Sequence, residues 1–171
     1  MKNEHQRFKE RRRNINKWLS QYLHDKYKEG RSTSKEFVHT FKRHGLHMTD
    51  DELMKRASSE KCDASAFTIS DEDVVKIIHD YLLGDSYNEV LDYLADKEDD
   101  SAWLIAGKFN SSIGKIYLYG KDHNWSDGAI ECNAICIIID KDISGTGNNL
   151  YVKTAYPYNS NYRIPIYKDY V

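Results

Sequence analysis

The chain has 171 residues, 40% of them apolar and 12% aromatic, which suits one domain with a real core and excludes wholesale disorder. There is no apolar run of about eighteen residues and no charged-then-apolar leader at Met1, so the reading is of a soluble chain without a membrane-spanning segment or N-terminal address. The net charge of −2 conceals a segregation: residues 1–61 hold 16 Lys/Arg against 9 Asp/Glu, residues 62–100 hold 2 against 12, and residues 101–171 hold 7 against 6.

A basic front and an acidic middle suggest one face that meets phosphates and another that repels them, although charge runs are more often solvated helix faces. The 3 cysteines are an odd number. Cys132 and Cys136 share one expected strand and stand about 13 Å apart by strand rise, beyond disulfide reach. No CxxC or Cys/His finger spacing occurs, so reduced core thiols are expected and a metal site is not.

Glu4 to Glu29 reads as a helix, with Phe8, Ile15, Trp18, Leu19, Tyr22, Leu23 and Tyr27 at three- and four-residue steps and Gly30 as its stop. Lys9, Arg11, Arg12, Arg13 and Lys17 occupy its other face, which either binds RNA or stays in water. Arg31 to Ser34 reads as a joint, which divides the chain into a basic N-terminal helix or linker (1–33) and a main domain (34–171). Ser34 to His44 is short and amphipathic. Thr49-Asp50-Asp51-Glu52 has the form of a capping box and predicts a helix from Asp50 to about Ser59. Ser70 to Asp73 opens a helix ending at Gly84, and Asp85 to Asp96 resumes as another.

From Ser101 the period changes to two. Trp103–Lys108, Lys115–Tyr119, Ala129–Ile139 and Leu150–Tyr156 read as strands, the last stopped by Pro157. Asp140 to Asn149, with Gly145 and Gly147, joins the last two as a long-looped hairpin. Ile135 to Ile139 is apolar on both faces, so this strand is expected to be central and buried. Helices first and strands afterwards predict an α+β fold with an antiparallel sheet.

Three histidines and two cations crowd into His39-Thr40-Phe41-Lys42-Arg43-His44-Gly45-Leu46-His47, ahead of a helix ending in Lys55-Arg56. No Asp, Glu or Cys sits at a metal-ligand spacing to them. Such a set fits metal-independent RNA cleavage, which needs a base for the 2′-hydroxyl, an acid for the leaving 5′-oxygen and cations for the phosphorane. Histidine suits the proton transfers and the arginine fork suits phosphate.

Three segments, HTFKRHGLHMTDDELMKR (39–56), SAFT (65–68) and ICIIID with KTAYP (135–157), resemble in order and spacing the ribonuclease A-like toxin domain. That domain ends contact-dependent growth inhibition proteins (CdiA C-termini) and other polymorphic toxins of bacteria. The resemblance covers about 120 residues, from His39 to Tyr158. It implies the kidney-shaped α+β architecture of pancreatic ribonuclease without its disulfides. It also implies a monomeric, cofactor-free ribonuclease that leaves a 2′,3′-cyclic phosphate on RNA, with tRNA among the candidate substrates. Such a toxin acts in the target bacterium's cytoplasm and is silenced by a cognate immunity protein.

Carried over by position, the catalytic histidine falls on His44, the helix arginine on Arg56 and the terminal pair on Thr154 and Tyr156. The resemblance departs at one point. HGLHMT has four residues between His and Thr where the family has three, so His47 and Lys55 compete for the histidine and cation roles. His39 and Lys153 stand beside the set as further candidates. A barnase- or colicin-type ribonuclease, and a non-enzymatic immunity or RNA-binding protein, are the rival readings.

Overall fold

The computed structural model describes residues 2–28, 37–96, 101–106, 108–142 and 149–162. Five helices and six strands follow one another as α1 (Glu4–Lys28), α2 (Val38–His44), α3 (Asp50–Glu60), β1 (Ala64–Phe67), α4 (Asp71–Leu83), α5 (Tyr87–Ala95), β2 (Ser101–Ala106), β3 (Gly114–Tyr117), β4 (Ile130–Cys132), β5 (Ala134–Asp142) and β6 (Asn149–Tyr158). The fold is α+β, as expected, but its strands form two antiparallel sheets of three, ordered β1-β3-β4 and β2-β5-β6. The helix stop at Gly30, the joint at 31–34 with the boundary between residues 33 and 34, and the hairpin glycines 145 and 147 lie outside the described residues. No described helix is long and apolar enough to cross a membrane.

Local chemistry sets the helix ends. Thr49 Oγ1 accepts from Glu52 N at 3.3 Å while Glu52 Oε2 accepts from Thr49 N at 2.8 Å, so the expected capping box is complete. Ser70 Oγ caps α4 through Asp73 N at 3.1 Å.

The main core lies between the helices and one face of β2-β5-β6. Ile15, Leu19 and Leu23 of α1 join Val74, Ile78 and Leu82 of α4 and Val90, Leu91 and Leu94 of α5 over Ile135, Ile137 and Ile139. The basic side of α1 is partly committed to the same packing. Arg11 Nε donates to Ala95 O at 2.8 Å at the end of α5, and Arg12 pairs with Asp92 at 2.6 Å and Asn88 at 3.0 Å. The charge segregation seen in sequence therefore serves, in part, to dock one helix on another.

A second cluster, Leu53, Ala57, Ala64, Ala66 and Tyr117, seats α3 on the smaller sheet. Asp50 reinforces that seat through Lys115 Nζ at 2.5 Å and the Tyr117 hydroxyl at 3.0 Å.

Three expectations are corrected. The run read as one strand, Ala129–Ile139, is two strands in different sheets. At the break, Cys132 O accepts from Ile113 N at 2.8 Å and Asn133 O from Phe109 N at 2.7 Å, so the chain is handed from β4 to β5 by the 109–113 loop. The SAFT segment at 65–68, read only as a motif, overlaps strand β1 (Ala64–Phe67), which is short and buried at every position. Pro157 does not stop β6, which runs to Tyr158. It pairs with Ile135 on an edge strand, where a missing donor is tolerated because it can face away from the ladder.

The hairpin has β5 central, as expected, and β6 lies on the edge of its sheet. A β-bulge between Ile138 and Ile139 sets Thr154 opposite Ile138 and Val152 opposite Ile139, leaving Lys153 as the extra residue. Val152 and Ala155 consequently both face the main core. Tyr156 lies on the other face with Cys136 and Ile138. All three cysteines are free, Cys62 exposed and Cys132 and Cys136 buried.

The two sheets meet closely at Gly114. A Cβ there would lie 2.5 Å from Pro157 Cβ and Cγ and 2.7 Å from Ala66 O. Gly114→Ala is expected to destabilise the fold by about 1–3 kcal/mol, the usual cost of overpacking, read as a lower urea midpoint with an unchanged m-value.

Candidate active site

Helix α2 opens at Phe37, whose left-handed backbone (φ 59°) is unfavourable for an aromatic residue. The ring is buried and stacks on Phe41 at 5.8 Å, which fixes the start of the helix despite the strain. Thr40 is fully buried, and its Oγ1 accepts from Ala155 N of β6 at 2.8 Å. This bond fastens α2 across the end of β6.

His44 is the last residue of α2 and is half-buried. Its Nδ1 lies 2.7 Å from Ser65 O. A carbonyl oxygen only accepts, so Nδ1 carries the proton and Nε2 keeps its lone pair. Arg56 of α3 reaches the same oxygen through Nη2 at 3.1 Å and bonds Arg43 O through Nη1. Ser65 O can serve both because β1 is the edge strand of its sheet, where some carbonyls turn away from the ladder. The Tyr156 ring lies 5.6 Å from the His44 ring, and Thr154 stands two residues earlier on the same face of β6.

Thus His44, Arg56 and Tyr156 are gathered at one seam from α2, α3 and β6. Thr154 Oγ1 is buried with no hydrogen-bond partner among the described residues, and Tyr156 is buried with its hydroxyl inside the fold.

Beside the seam opens a cleft of about 400 Å³, lined by His39, Lys42, Arg43, Met48, Arg56 and Glu60. Arg43 is ion-paired with Glu60 at its rim. His39 is exposed, with its ring 6.1 Å from that of His44.

The other candidates fall elsewhere. His47 and Lys55 are exposed and absent from the cleft wall, and half-buried Lys153 sits at the bulge. The extra residue of HGLHMT is absorbed in the turn closed by Met48 N on Gly45 O at 3.1 Å, ahead of the Thr49 cap, so α3 still presents Arg56. Ser65, Thr40, Met48 and Glu60 were not singled out from sequence. For the first two the signal was present, since they belong to the SAFT and HT segments. Among the described residues, no group of three or more His, Cys, Asp or Glu is placed to hold a metal ion.

Burial pushes the His44 pKa down to about 3, with Arg56, His39 and Arg43 adding to the effect and the Ser65 carbonyl opposing it. His39 is lowered too, by burial first and then by Arg43, Arg56 and Lys42, against the pull of Glu60.

Neither a protein-family model nor a curated protein matches the chain. A solved structure does: a chain of the crystal structure of the CdiA-CT/CdiI complex from Y. kristensenii 33638 shares its fold, with a TM-score of 0.56 and 21% identity over 68% of this chain and 96% of that chain.

The depressed His44 pKa makes stability depend on pH. Unfolded histidine titrates near 6.5 and folded His44 near 3, so between those values only the unfolded chain takes up the proton. The stability linked to His44 is complete above pH 6.5 and is lost as pH falls toward 3. From pH 6.5 to 5 the loss should be about 2 kcal/mol, in a window above the carboxylates. His44→Asn, which keeps a donor toward Ser65 O, should remove most of that slope in urea titrations at the two pH values, leaving the smaller contribution of His39.

Proposed function

We propose that the chain is a metal-independent endoribonuclease of the ribonuclease A-like toxin type, acting in interbacterial competition and neutralised by a cognate immunity protein. The observation that carries this reading is the shared Ser65 carbonyl. It fixes His44 in the tautomer that leaves Nε2 able to accept a proton, and it holds Arg56 alongside at the wall of a cationic cleft. The fold shared with a chain of the CdiA-CT/CdiI complex supports it, as does the agreement of three motifs in order and spacing. Because the fold likeness is to a two-protein complex, the histidine–arginine arrangement is what favours the toxin over an immunity protein.

In this reading RNA enters the cleft with one phosphate against Arg56 and Arg43. His44 Nε2 takes the 2′-hydroxyl proton as O2′ attacks phosphorus, and the product is a 2′,3′-cyclic phosphate. A pKa near 3 makes free His44 a weak base, but it also keeps the lone pair available at every physiological pH. A bound phosphate offsets the arginine charges that help to hold the pKa down, so basicity rises when substrate is present. The arginines supply the charge stabilisation for which other nucleases use a metal. Thr154, with its unpartnered hydroxyl, is assigned to hydrogen-bond the substrate, and Tyr156 to support the His44 ring. The proposed site of action is the cytoplasm of the target bacterium.

The test is cleavage of total RNA and of tRNA by the purified chain, with and without EDTA. Wild type should cleave equally in both, leaving cyclic phosphate ends, and His44→Ala should lose about 10²–10⁴-fold of the rate while keeping its circular dichroism spectrum. Undiminished cleavage by that variant removes His44 from the reaction, and inhibition by EDTA removes the metal-free mechanism. A wild-type chain that cleaves no RNA but protects cells from a toxin would be an immunity protein.

A further inference from the structure

Transphosphorylation needs a second proton carrier, because the 5′-oxygen is a poor leaving group until it is protonated. Tyr156, the hydroxyl-bearing residue beside the His44 ring, is badly placed for this. It is only 4% exposed, and its hydroxyl is inside the fold on the face it shares with Cys136 and Ile138. A proton given up there has no direct path back from water.

His39 has the properties that Tyr156 lacks. It lines the cleft with Arg43 and Arg56, it is exposed to solvent, and its ring lies 6.1 Å from that of His44. A proton carrier works at about 3 Å from its oxygen, and the attacking and leaving oxygens lie on opposite sides of one phosphorus. Rings at this separation are direct neighbours, so a phosphoryl group held in the cleft by Arg43 and Arg56 would lie beside both of them rather than between them. Both are carried by α2, whose position is set by Thr40 on Ala155 and by the buried Phe37, so their spacing is fixed by one short rigid element.

We propose that His39 is the general acid of the cleft, giving its proton to the leaving 5′-oxygen as His44 takes the proton of the 2′-hydroxyl. The proposal rests on the ribonuclease reading above. One O–H bond breaks at O2′ and one forms at O5′. The P–O2′ bond forms as the P–O5′ bond breaks, leaving a cyclic phosphate, a free 5′-hydroxyl, protonated His44 and neutral His39. Exchange with water resets both rings, and no co-reactant is consumed. Glu60 favours the His39 cation, while Lys42, Arg43 and Arg56 make that cation a stronger acid.

The leaving group separates this role from a structural one. A dinucleotide needs its 5′-oxygen protonated, whereas a nucleoside 3′-(4-nitrophenyl phosphate) expels a phenolate that needs no proton. His39→Asn should lose about 10²–10⁴-fold on dinucleotides and RNA and keep its rate on the aryl ester within an order of magnitude. It should also lose the alkaline limb of the pH profile for RNA. His44→Asn should lose activity on both substrates. If His39→Asn cleaves RNA as wild type does, or loses equally on both substrates, His39 is not the acid and the proposal falls while the ribonuclease reading stands. If wild type cleaves neither substrate, both fall. Exposure of His39 makes the substitution benign for folding, which the thermal midpoint checks.

Discussion

The carbonyl of Ser65 is the point on which the site depends. A backbone oxygen on an edge strand has two lone pairs and no ladder partner, and leaving it buried and unmet would cost about 1–3 kcal/mol. Here it meets His44 Nδ1 at 2.7 Å and Arg56 Nη2 at 3.1 Å. The strand therefore requires donors at that place, and the donors gain a fixed orientation from it. Through Nη1, Arg56 also satisfies the carbonyl of Arg43 near the end of α2, one of the helix-terminal acceptors without an internal partner. Folding and the proposed chemistry thus use the same bonds, so loss of the Arg56 side chain is expected to lower stability along with any activity that depends on it.

The opposite wall is held by a different device. Thr40 and Ala155 join α2 to β6 through a buried hydroxyl-to-amide bond, while the bulge at Lys153 shifts the phase of β6 by one residue. Leu150, Val152 and Ala155 all reach the main core, a pattern no regular strand allows, because residues 152 and 155 differ by an odd number. The same shift turns Thr154 and Tyr156 to the other face, where the Tyr156 ring meets that of His44. An unbulged β6 would bury Thr154 among Ile137, Ile139 and Val152, where its hydroxyl has no use.

The parts legible in sequence are those decided within a few residues. The Thr49–Glu52 box, the Ser70 cap, the apolar face of α1 and the central position of Ile135–Ile139 each rest on spacing or composition alone. Parts settled by tertiary contact were not legible. Asn133 breaks the run 129–139 because loop 109–113 captures the carbonyls of Cys132 and Asn133, and nothing near residue 133 announces that loop. Pro157 reads as a terminator until β6 is known to be an edge. Ser65 acts through its backbone, so its side chain gives no sign of the role. The charge segregation was visible, but its destination was not: Arg11 and Arg12 meet α5 only once α1 and α5 are packed together.

A site assembled from residues 39–44, 56, 65 and 154–156 has almost no local content. Its groups come within reach only when α2 lies on β6 and α3 lies on the smaller sheet. With no disulfide to hold the unfolded chain together, loss of either wall separates His44 from Arg56 at once. The cationic cleft adds to this coupling, since Lys42, Arg43 and Arg56 repel one another and Glu60 in the same lining offsets them in part. A polyanion placed there relieves that repulsion in the folded state and finds no comparable cluster in the unfolded one. It must therefore stabilise the fold as it binds, so ligand affinity and integrity of the seam are two readings of one free energy.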